Sequence, residues 1–300
     1  MRHFAFILLV CIACSPLAAQ AQILVDSAIE LRQAIERSDA GDEITIAPGR
    51  YEVRDLKLPR NITLRGQGEV VFYSSRPVAK GLINPLPGAS IRIENIKFTG
   101  ARSPDQNGAG IRHDGDNLTI IDSIFEDNED GILSTGSEDG RITIQNSKFL
   151  RNGYGDGYSH GIYVVRAASL YVQDTQFIGT RIGHHIKSLA SVTTIQGSTF
   201  DDADGRTSYA VDASKGGDVE ICGNQFIQAA NADNSTIINY DLSRGGKPGS
   251  LTIADNRIIN HHPHGKLLRN KTSVKPLVFD NAIANEGVGA LDYRQSIAPQ

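Results

Sequence analysis

A single short pattern recurs eight times along the sequence, at intervals of 23 to 32 residues. It reads apolar-x-apolar-x-polar-polar-x-Phe, with isoleucine in place of phenylalanine in the last two copies. The copies are IRIENIKF (91–98), LTIIDSIF (118–125), ITIQNSKF (142–149), LYVQDTQF (170–177), TTIQGSTF (193–200), VEICGNQF (219–226), LTIADNRI (251–258) and PLVFDNAI (276–283). Repeats of this length predict a stacked array, because one unit alone cannot bury its apolar face.

The third position of every copy is a branched aliphatic residue, in the period-two alternation of a β-strand. These residues are Ile93, Ile120, Ile144, Val172, Ile195, Ile221, Ile253 and Val278. The positions that follow hold Asp, Asn, Ser, Thr or Gly, whose short side chains bond the backbone of tight corners. Stacked copies should therefore form strands that end in ladders of polar corners.

A second series of short strand-like segments precedes the repeats. They are GIRHDG (110–115), GILSTG (131–136), GIYVVR (161–166), HIKSLA (185–190), AVDASK (210–215), IINYDL (237–242) and KLLRNK (266–271). Two or three short strands per unit, without a helix-length linker, resemble the right-handed parallel β-helix of pectate-lyase-like secreted polysaccharide-active proteins. The resemblance covers residues 44–283 and implies an all-β, single-domain solenoid. Apolar residues at helical spacing in 27–38 predict a short helix that caps its N-terminal end.

The first 21 residues have the pattern of a secretory signal. A charged start precedes an apolar run too short to span a membrane, and small residues follow at 19–21. Removal of residues 1–21 would leave one domain at 22–300, with a cap at about 22–43, coils at about 44–283 and a cap or tail at about 284–300. We therefore expect a periplasmic or secreted protein without a membrane span.

The charge balance argues against nucleic acid as a partner. The chain has 30 Lys and Arg residues against 34 Asp and Glu residues, a formal charge of −4. Neutralising phosphates requires a basic surface instead. Two of the three cysteines lie in the predicted signal, so the mature chain would keep Cys222 as its single thiol, without an internal disulfide.

Parallel strands in successive coils lie about 4.8 Å apart, so equivalent outward residues form columns along one face. The first outward column reads Arg112, Leu133, Tyr163, Lys187, Asp212, Asn239, Arg269. The second column, two positions further along, reads Asp114, Thr135, Val165, Leu189, Ser214, Asp241, Lys271. Just before the strands stand His160, His184, His185 and Tyr209. This arrangement predicts a functional groove on three middle coils, although a solvated face with a Lys187–Asp212 surface ion pair is the simpler alternative.

Long connectors lie beside the same face. The connector LRNGYGDGYSHG (150–161) is rich in glycine and carries Tyr158, whose ring offers a flat surface to a sugar. Long turns beside a flat strand face form an open cleft that suits an extended polymer. The expected partner is an acidic polysaccharide or oligosaccharide.

The β-helix resemblance implies action on a polysaccharide, because lyases, uronate C5-epimerases and hydrolases share this scaffold. The fold does not decide among them, so the residues must. For elimination or epimerisation, Lys187 is the preferred base that removes the C5 proton, and His184 is the competing base. Tyr209 would protonate the leaving oxygen, and His160 or Arg112 would hold the carboxylate.

Further residues of the face are assigned to substrate binding. They are Arg112, Tyr163, His185, Asp212, Asn239 and Tyr158. Asp212 would either orient Lys187 or keep it charged, and the second effect would prevent Lys187 from acting as a base. The run HHIKS (184–188) is similar to a run in other secreted β-helix proteins that is followed by Ser-Tyr and Gly-Gly. This similarity supports treating Lys187 and Tyr209 together.

Two other functions stay open at this point. A glycoside hydrolase would use two carboxylates, for which Asp212 and Asp241 on adjacent coils are the candidates. A noncatalytic polysaccharide-binding or export-associated protein would use the same face without turnover. No cofactor is predicted, and no metal site is assigned. Ca²⁺ stays open, because several polysaccharide lyases of this shape use it to neutralise the carboxylate, but no recognisable motif supports it here. The DDADG turn (201–205) lacks the remaining oxygen ligands that Ca²⁺ needs, and NHHPHG (260–265) indicates an exposed corner.

Overall fold

The structure, a computed structural model, describes residues 22–285 and 291–292. In these residues the chain forms three parallel β-sheets and one α-helix, and nine complete coils each contribute one strand to each sheet in turn. The predicted all-β parallel solenoid is therefore confirmed. The predicted signal (1–21) and most of the predicted C-terminal tail lie outside the described residues.

The strands of each sheet follow one another along the solenoid axis. The eleven-stranded sheet contains Gln22–Val25, Glu43–Ile46, Ile62–Gly66, Ile91–Glu94, Leu118–Ile121, Arg141–Gln145, Ser169–Gln173, Val192–Gln196, Gly216–Cys222, Lys247–Ala254 and Leu277–Phe279. The ten-stranded sheet contains Gly49–Glu52, Val70–Tyr73, Lys97–Thr99, Ile124–Glu126, Lys148–Leu150, Gln176–Ile178, Thr199–Asp201, Gln225–Gln228, Arg257–Asn260 and Ala282–Asn285. The nine-stranded sheet contains Leu56–Leu58, Gly81–Pro85, Ala109–His113, Asp130–Ser134, Ile162–Val164, Ile186–Ser188, Val211–Ala213, Thr236–Tyr240 and Lys266–Asn270.

The polar corner predicted in each repeat joins the eleven-stranded sheet to the ten-stranded sheet. Asp122, Asn146 and Asp174 turn this corner with φ near +50°, a conformation that Asp and Asn tolerate better than other non-glycine residues. The following residue of each coil accepts a backbone N–H from the coil before it. For example, the Ser123 amide donates to Ser147 Oγ at 3.1 Å, and the Asn224 amide donates to Asn256 Oδ1 at 2.9 Å. The predicted polar ladder is confirmed.

The phenylalanines that close the first six repeats lie in the ten-stranded sheet and point into the core, and Phe72 holds the equivalent position in the coil before them. Seven phenylalanines occupy equivalent positions in successive coils, and each is 1% exposed or less. They are Phe72, Phe98, Phe125, Phe149, Phe177, Phe200 and Phe226. From Phe98 onward the rings stack with centroids 4.7–5.0 Å apart, which is the spacing of the strands themselves. The stack therefore forms one continuous column of the core.

The predicted helix spans Ala28–Arg37 and begins at Ser27, whose side chain accepts the Glu30 amide. Its apolar face places Leu31, Ala34 and Ile35 in the core, at the end of the solenoid. The strand Gln22–Val25 pairs with Glu43–Ile46 before the helix begins, so the predicted cap region also contributes a strand. No helix among the described residues has the length and apolar character needed to cross a membrane.

Candidate functional site

The outward columns predicted from the sequence are present on the nine-stranded sheet. Tyr163 pairs in register with Lys187, Lys187 with Asp212, and Asp212 with Asn239. Their side chains lie on one face of four neighbouring coils. We call this cluster, together with His160, His184 and Tyr209, the central groove.

Three rings form a stack along the edge of the central groove. The rings of His160 and His184 are 4.8 Å apart, and those of His184 and Tyr209 are 5.1 Å apart. The His184 amide donates to His160 Nδ1, and the Tyr209 amide donates to His184 Nδ1. Because each Nδ1 accepts a hydrogen bond, the proton of each neutral imidazole lies on Nε2. Both histidines therefore carry a donor at Nε2. His160 is 1% exposed and His184 is 8% exposed, so the predicted role of His160 in holding a substrate carboxylate does not agree with its burial.

Burial keeps these imidazoles neutral. It lowers the pKa of His184 to about 4 and the pKa of His160 well below its ordinary value, and the neighbouring cationic groups act in the same direction on His160. At neutral pH, His184 has its Nδ1 lone pair occupied and its Nε2 protonated. It is therefore poorly placed to act as the competing base.

Asp212 is the centre of the polar contacts. Its Oδ2 lies 3.6 Å from Lys187 Nζ and 3.6 Å from His184 Nε2, and it accepts the Ser214 hydroxyl at 3.1 Å. Its Oδ1 accepts Asn239 Nδ2 at 2.7 Å. Several donors contact the Asp212 carboxylate, so this carboxylate stabilises the charged form of Lys187 less than it would if Lys187 were its only partner.

Lys187 lies against this carboxylate with little solvent around it. Its ammonium also sits 5.3 Å from the centre of the Tyr163 ring. Burial lowers the pKa of Lys187, and the Arg244 charge adds to that effect, while Asp212 and Asp241 oppose it. The effect of desolvation on this pKa outweighs that of the two carboxylates, so Lys187 loses its proton more readily than an exposed lysine does.

Arg244 is a member of the site that the sequence analysis missed. Its charge acts on His160, Tyr163 and Lys187, yet its side chain is exposed and forms no salt bridge within residues 22–285. It lies in the connector after strand Thr236–Tyr240, outside both outward columns. In the sequence, Arg244 could have been noticed in the SRGGKPG segment (243–249), which directly follows the strand-like segment IINYDL (237–242).

Arg112 is on the predicted column but away from the central groove. In the sheet register Arg112 pairs with Leu133, Leu133 with Tyr163, and Tyr163 with Lys187. Arg112 therefore lies three coils before Lys187, about 14 Å along the axis. Its Nε is 3.5 Å from Asp114, in the second column. Arg112 and His160 therefore do not hold the same carboxylate group, and Arg112 belongs to a more distant part of the face.

The prediction that His185 contacts substrate does not agree with its position. The side chain is 0% exposed, and its ring lies about 6 Å from the rings of Phe177 and Phe200 in the core. Its Nδ1 is 2.8 Å from the Thr180 hydroxyl, and its Nε2 is 3.4 Å from Asp202. Tyr158, by contrast, is 81% exposed on its connector and can meet a ligand.

The two carboxylates considered for hydrolysis are joined by one amide. Asn239 Nδ2 donates to Asp212 at 2.7 Å and to Asp241 at 3.2 Å. Hydrogen bonds from Ser243, Asn239 and Arg269 lower the pKa of Asp241 in spite of burial. A glycosidase acid needs a raised pKa, so Asp241 does not suit that role.

Among the described residues, no group of three or more His, Cys, Asp or Glu side chains is arranged to hold a metal ion. This includes the DDADG turn and the NHHPHG corner, where the His264 amide instead donates to His262 Nδ1.

Residues 86–276 match the model of the family described as the right handed beta helix region. The chain is similar in structure to an alginate lyase from Paenibacillus sp. str. FPU-7, with a TM-score of 0.68 and 17% identity over 93% of this chain and 99% of that one. It is also similar to the pectate lyase Pel9A, with a TM-score of 0.51 and 13% identity over 89% and 79% of the two chains.

A further similar structure is the pectin methylesterase from Aspergillus niger, with a TM-score of 0.50 and 14% identity over 91% of this chain and 88% of that one. A search of the curated proteins gives no match. Lyases and an esterase thus share this fold, so the likeness establishes the architecture and leaves the activity to the residues of the groove.

Proposed function

This chain belongs to the right-handed β-helix family, and from that premise we propose that it cleaves an acidic, uronate-containing polysaccharide by β-elimination, or inverts C5 of the same sugars. The observation that carries the proposal is Lys187, which is 9% exposed and 3.6 Å from Asp212, on the same face as the ring stack of His160, His184 and Tyr209. The charge of Arg244 acts on Lys187 in the same direction as burial does. Lyases among the structural neighbours support the same reaction class.

The reaction begins with neutralisation of the uronate carboxylate. Arg244 supplies a positive charge, and the Nε2–H of His184 supplies a hydrogen bond, since His160 is buried behind it. Stabilising the negative charge that develops on the carboxylate makes the C5 proton more acidic. These donors therefore lower the barrier to proton removal before any bond to oxygen is broken.

Neutral Lys187 then takes the C5 proton, and the electron pair left on C5 forms the C4–C5 double bond as the C4–O bond breaks. The Tyr209 hydroxyl donates its proton to the departing glycosidic oxygen. In an epimerase the same carbanion would be reprotonated on its opposite face, with the glycosidic bond intact. Asp212 orients the Lys187 amine through the 3.6 Å contact.

The proposal is tested by incubating the purified protein with alginate and with pectate. Elimination produces an unsaturated uronate, so ultraviolet absorbance should rise together with the number of reducing ends. Reducing ends without absorbance would show hydrolysis and contradict the proposal. Binding without any product, and without solvent deuterium entering C5 in heavy water, would show a noncatalytic protein. Deuterium at C5 without cleavage would identify the epimerase.

Replacing Arg244 with alanine should lower kcat by about 10²-fold and raise KM, because one charged donor to the carboxylate is lost. The side chain is exposed, so thermal stability should stay the same. Steady-state kinetics on the polymer that supports turnover measure both constants. Arg257→Ala, which removes an exposed arginine from the ten-stranded sheet, is the matched control and should change neither.

The pH profile of kcat should distinguish the two candidate bases. A base must be unprotonated, so with Lys187 activity is lost as the pH falls through a pKa that lies below the ordinary 10.5. With His184 activity would already be complete above about pH 5, because its pKa is about 4. Asp212→Asn removes a neighbouring anion and should move the midpoint to lower pH. A profile that is flat from pH 5 to 10 would contradict the role of Lys187.

Periplasmic or secreted localisation follows as part of the same proposal, because acidic polysaccharides are extracellular polymers. Fractionation of cells that express the full chain, with the N-terminus of the mature protein sequenced, tests this and the predicted cleavage after Ala21.

A further inference from the structure

Three arginines line one surface pocket at the N-terminal end of the solenoid. Arg32 lies on the helix Ala28–Arg37, and Arg54 and Arg76 lie in successive connectors between the ten-stranded and nine-stranded sheets. The pocket has a volume of about 380 Å³, and Glu52 and Ser74 complete its lining. This volume is in the range of sites for small organic ligands.

The charges of this pocket are unbalanced. Within residues 22–285, none of the three arginines forms a salt bridge, whereas many other arginines of the solenoid do. The pocket contains one acidic side chain, Glu52, which accepts hydrogen bonds from the amide and hydroxyl of Ser75. Three arginines therefore line the pocket with one carboxylate that is already engaged, while Glu36 and Asp55 line the adjoining pocket that Arg32 also borders.

The pocket is separate from the central groove. Arg76 precedes the strand Gly81–Pro85, which lies four strands before Ile186–Ser188 in the nine-stranded sheet. This places the pocket about 19 Å from Lys187 along the axis. A ligand here would not touch the groups that carry the proposed reaction.

The geometry points to a second binding site, in which Arg32, Arg54 and Arg76 take the carboxylate or sulfate group of an acidic sugar. Planar guanidinium groups match the two oxygens of such an anion and can bind it through paired hydrogen bonds. Ser74 offers a hydroxyl to the sugar. The space exceeds that of a bare ion, so the occupant is an anion attached to a larger polar body. The inference does not depend on the reaction proposed for the groove.

Calorimetric titration of the full chain with sodium glucuronate, sodium sulfate and glucose tests this site. We expect wild type to bind glucuronate and sulfate but not glucose. In Arg54→Ala/Arg76→Ala, one glucuronate site should weaken by at least about tenfold, since two of three charged partners are lost. The double variant Arg141→Ala/Arg257→Ala removes the same charge from exposed strand positions elsewhere and should bind as wild type does.

Three results would overturn the site. Equal weakening in both double variants would show that net charge alone attracts the ligand. Binding of sulfate without glucuronate would show a site for an inorganic ion, and no binding of either would show no site. Circular dichroism checks that both variants remain folded. The proposed elimination involves none of these three arginines. The absorbance assay therefore tests the reaction independently, and failure of this binding site can be distinguished from failure of the proposed reaction.

Discussion

Lys187→Ala should abolish turnover of the uronate polymer, with a loss of about 10²–10⁴-fold in kcat, because it removes the proposed base for the C5 proton. Binding should change much less, since Arg244 and His184 remain to hold the carboxylate. Folding should persist, because Asp212 keeps its hydrogen bonds from Asn239 and Ser214 after the amine is lost. Steady-state kinetics and a thermal unfolding curve on the same preparation measure the two effects separately.

Lys187→Arg is the matched control for this prediction. It keeps a positive charge beside Asp212, but a guanidinium does not give up its proton at accessible pH. If Lys187 contributed to the reaction only through its positive charge, the arginine variant would retain most of the activity. If proton removal is its contribution, both variants are inactive. An alanine variant with more than a tenth of wild-type activity would remove Lys187 from the mechanism.

Phe149→Ala should destabilise the protein by about 3–5 kcal/mol, the largest effect on stability that we expect from one side chain. Phe149 is fully buried and stacks on both neighbours, with ring centroids 4.7 Å from Phe125 and 4.9 Å from Phe177. The substitution leaves a cavity and breaks two aromatic contacts at once. Urea denaturation measures the change through the midpoint of the transition.

Two further variants make this prediction specific. Phe149→Leu fills most of the space and should cost clearly less than alanine. Tyr154→Ala removes an aromatic side chain of similar size that is 48% exposed on a connector, so it should leave the midpoint nearly unchanged. A Phe149→Ala midpoint close to that of wild type would mean that the stacked column does not carry the stability of the core.

The sequence predicted the fold and the register of the groove because both follow from one period. Once the aliphatic residues of successive repeats are aligned, Tyr163, Lys187 and Asp212 must share a column, and the structure places them so. Register depends on the spacing within each coil and not on the length of its connectors. Irregular connectors therefore did not disturb the prediction.

His185 was predicted to contact substrate, but it directly precedes the strand Ile186–Ser188 and its side chain is buried. The equivalent residues of the preceding coils are Gly110, Gly131 and Gly161, and a Cβ at Gly131 would lie 2.8 Å from the ring of Phe149. This position faces the phenylalanine column, so a histidine there points inward. The glycines at this position in the preceding coils indicated that it points inward, like the aliphatic residue that follows it.

Arg244 could not be found by the same reasoning, because a connector has no period. Its place beside the groove depends on the path of the backbone after strand Thr236–Tyr240, which residue spacing does not define. The pKa directions at Lys187 and His184 likewise depend on burial, which only the assembled coils provide.

The register of the nine-stranded sheet also limits how such a protein can evolve. His160, Lys187, Asp212 and Arg244 come from four consecutive coils, so residues 160–244 form a cassette that contains the proposed chemistry in one continuous stretch. Duplication or deletion of a coil outside this cassette would lengthen or shorten the cleft and leave the chemistry in place. The same event inside it would displace Lys187 from its partners by one rung. Changes in the number of coils outside the cassette can therefore alter the length of the face without disturbing the residues that carry the proposed reaction.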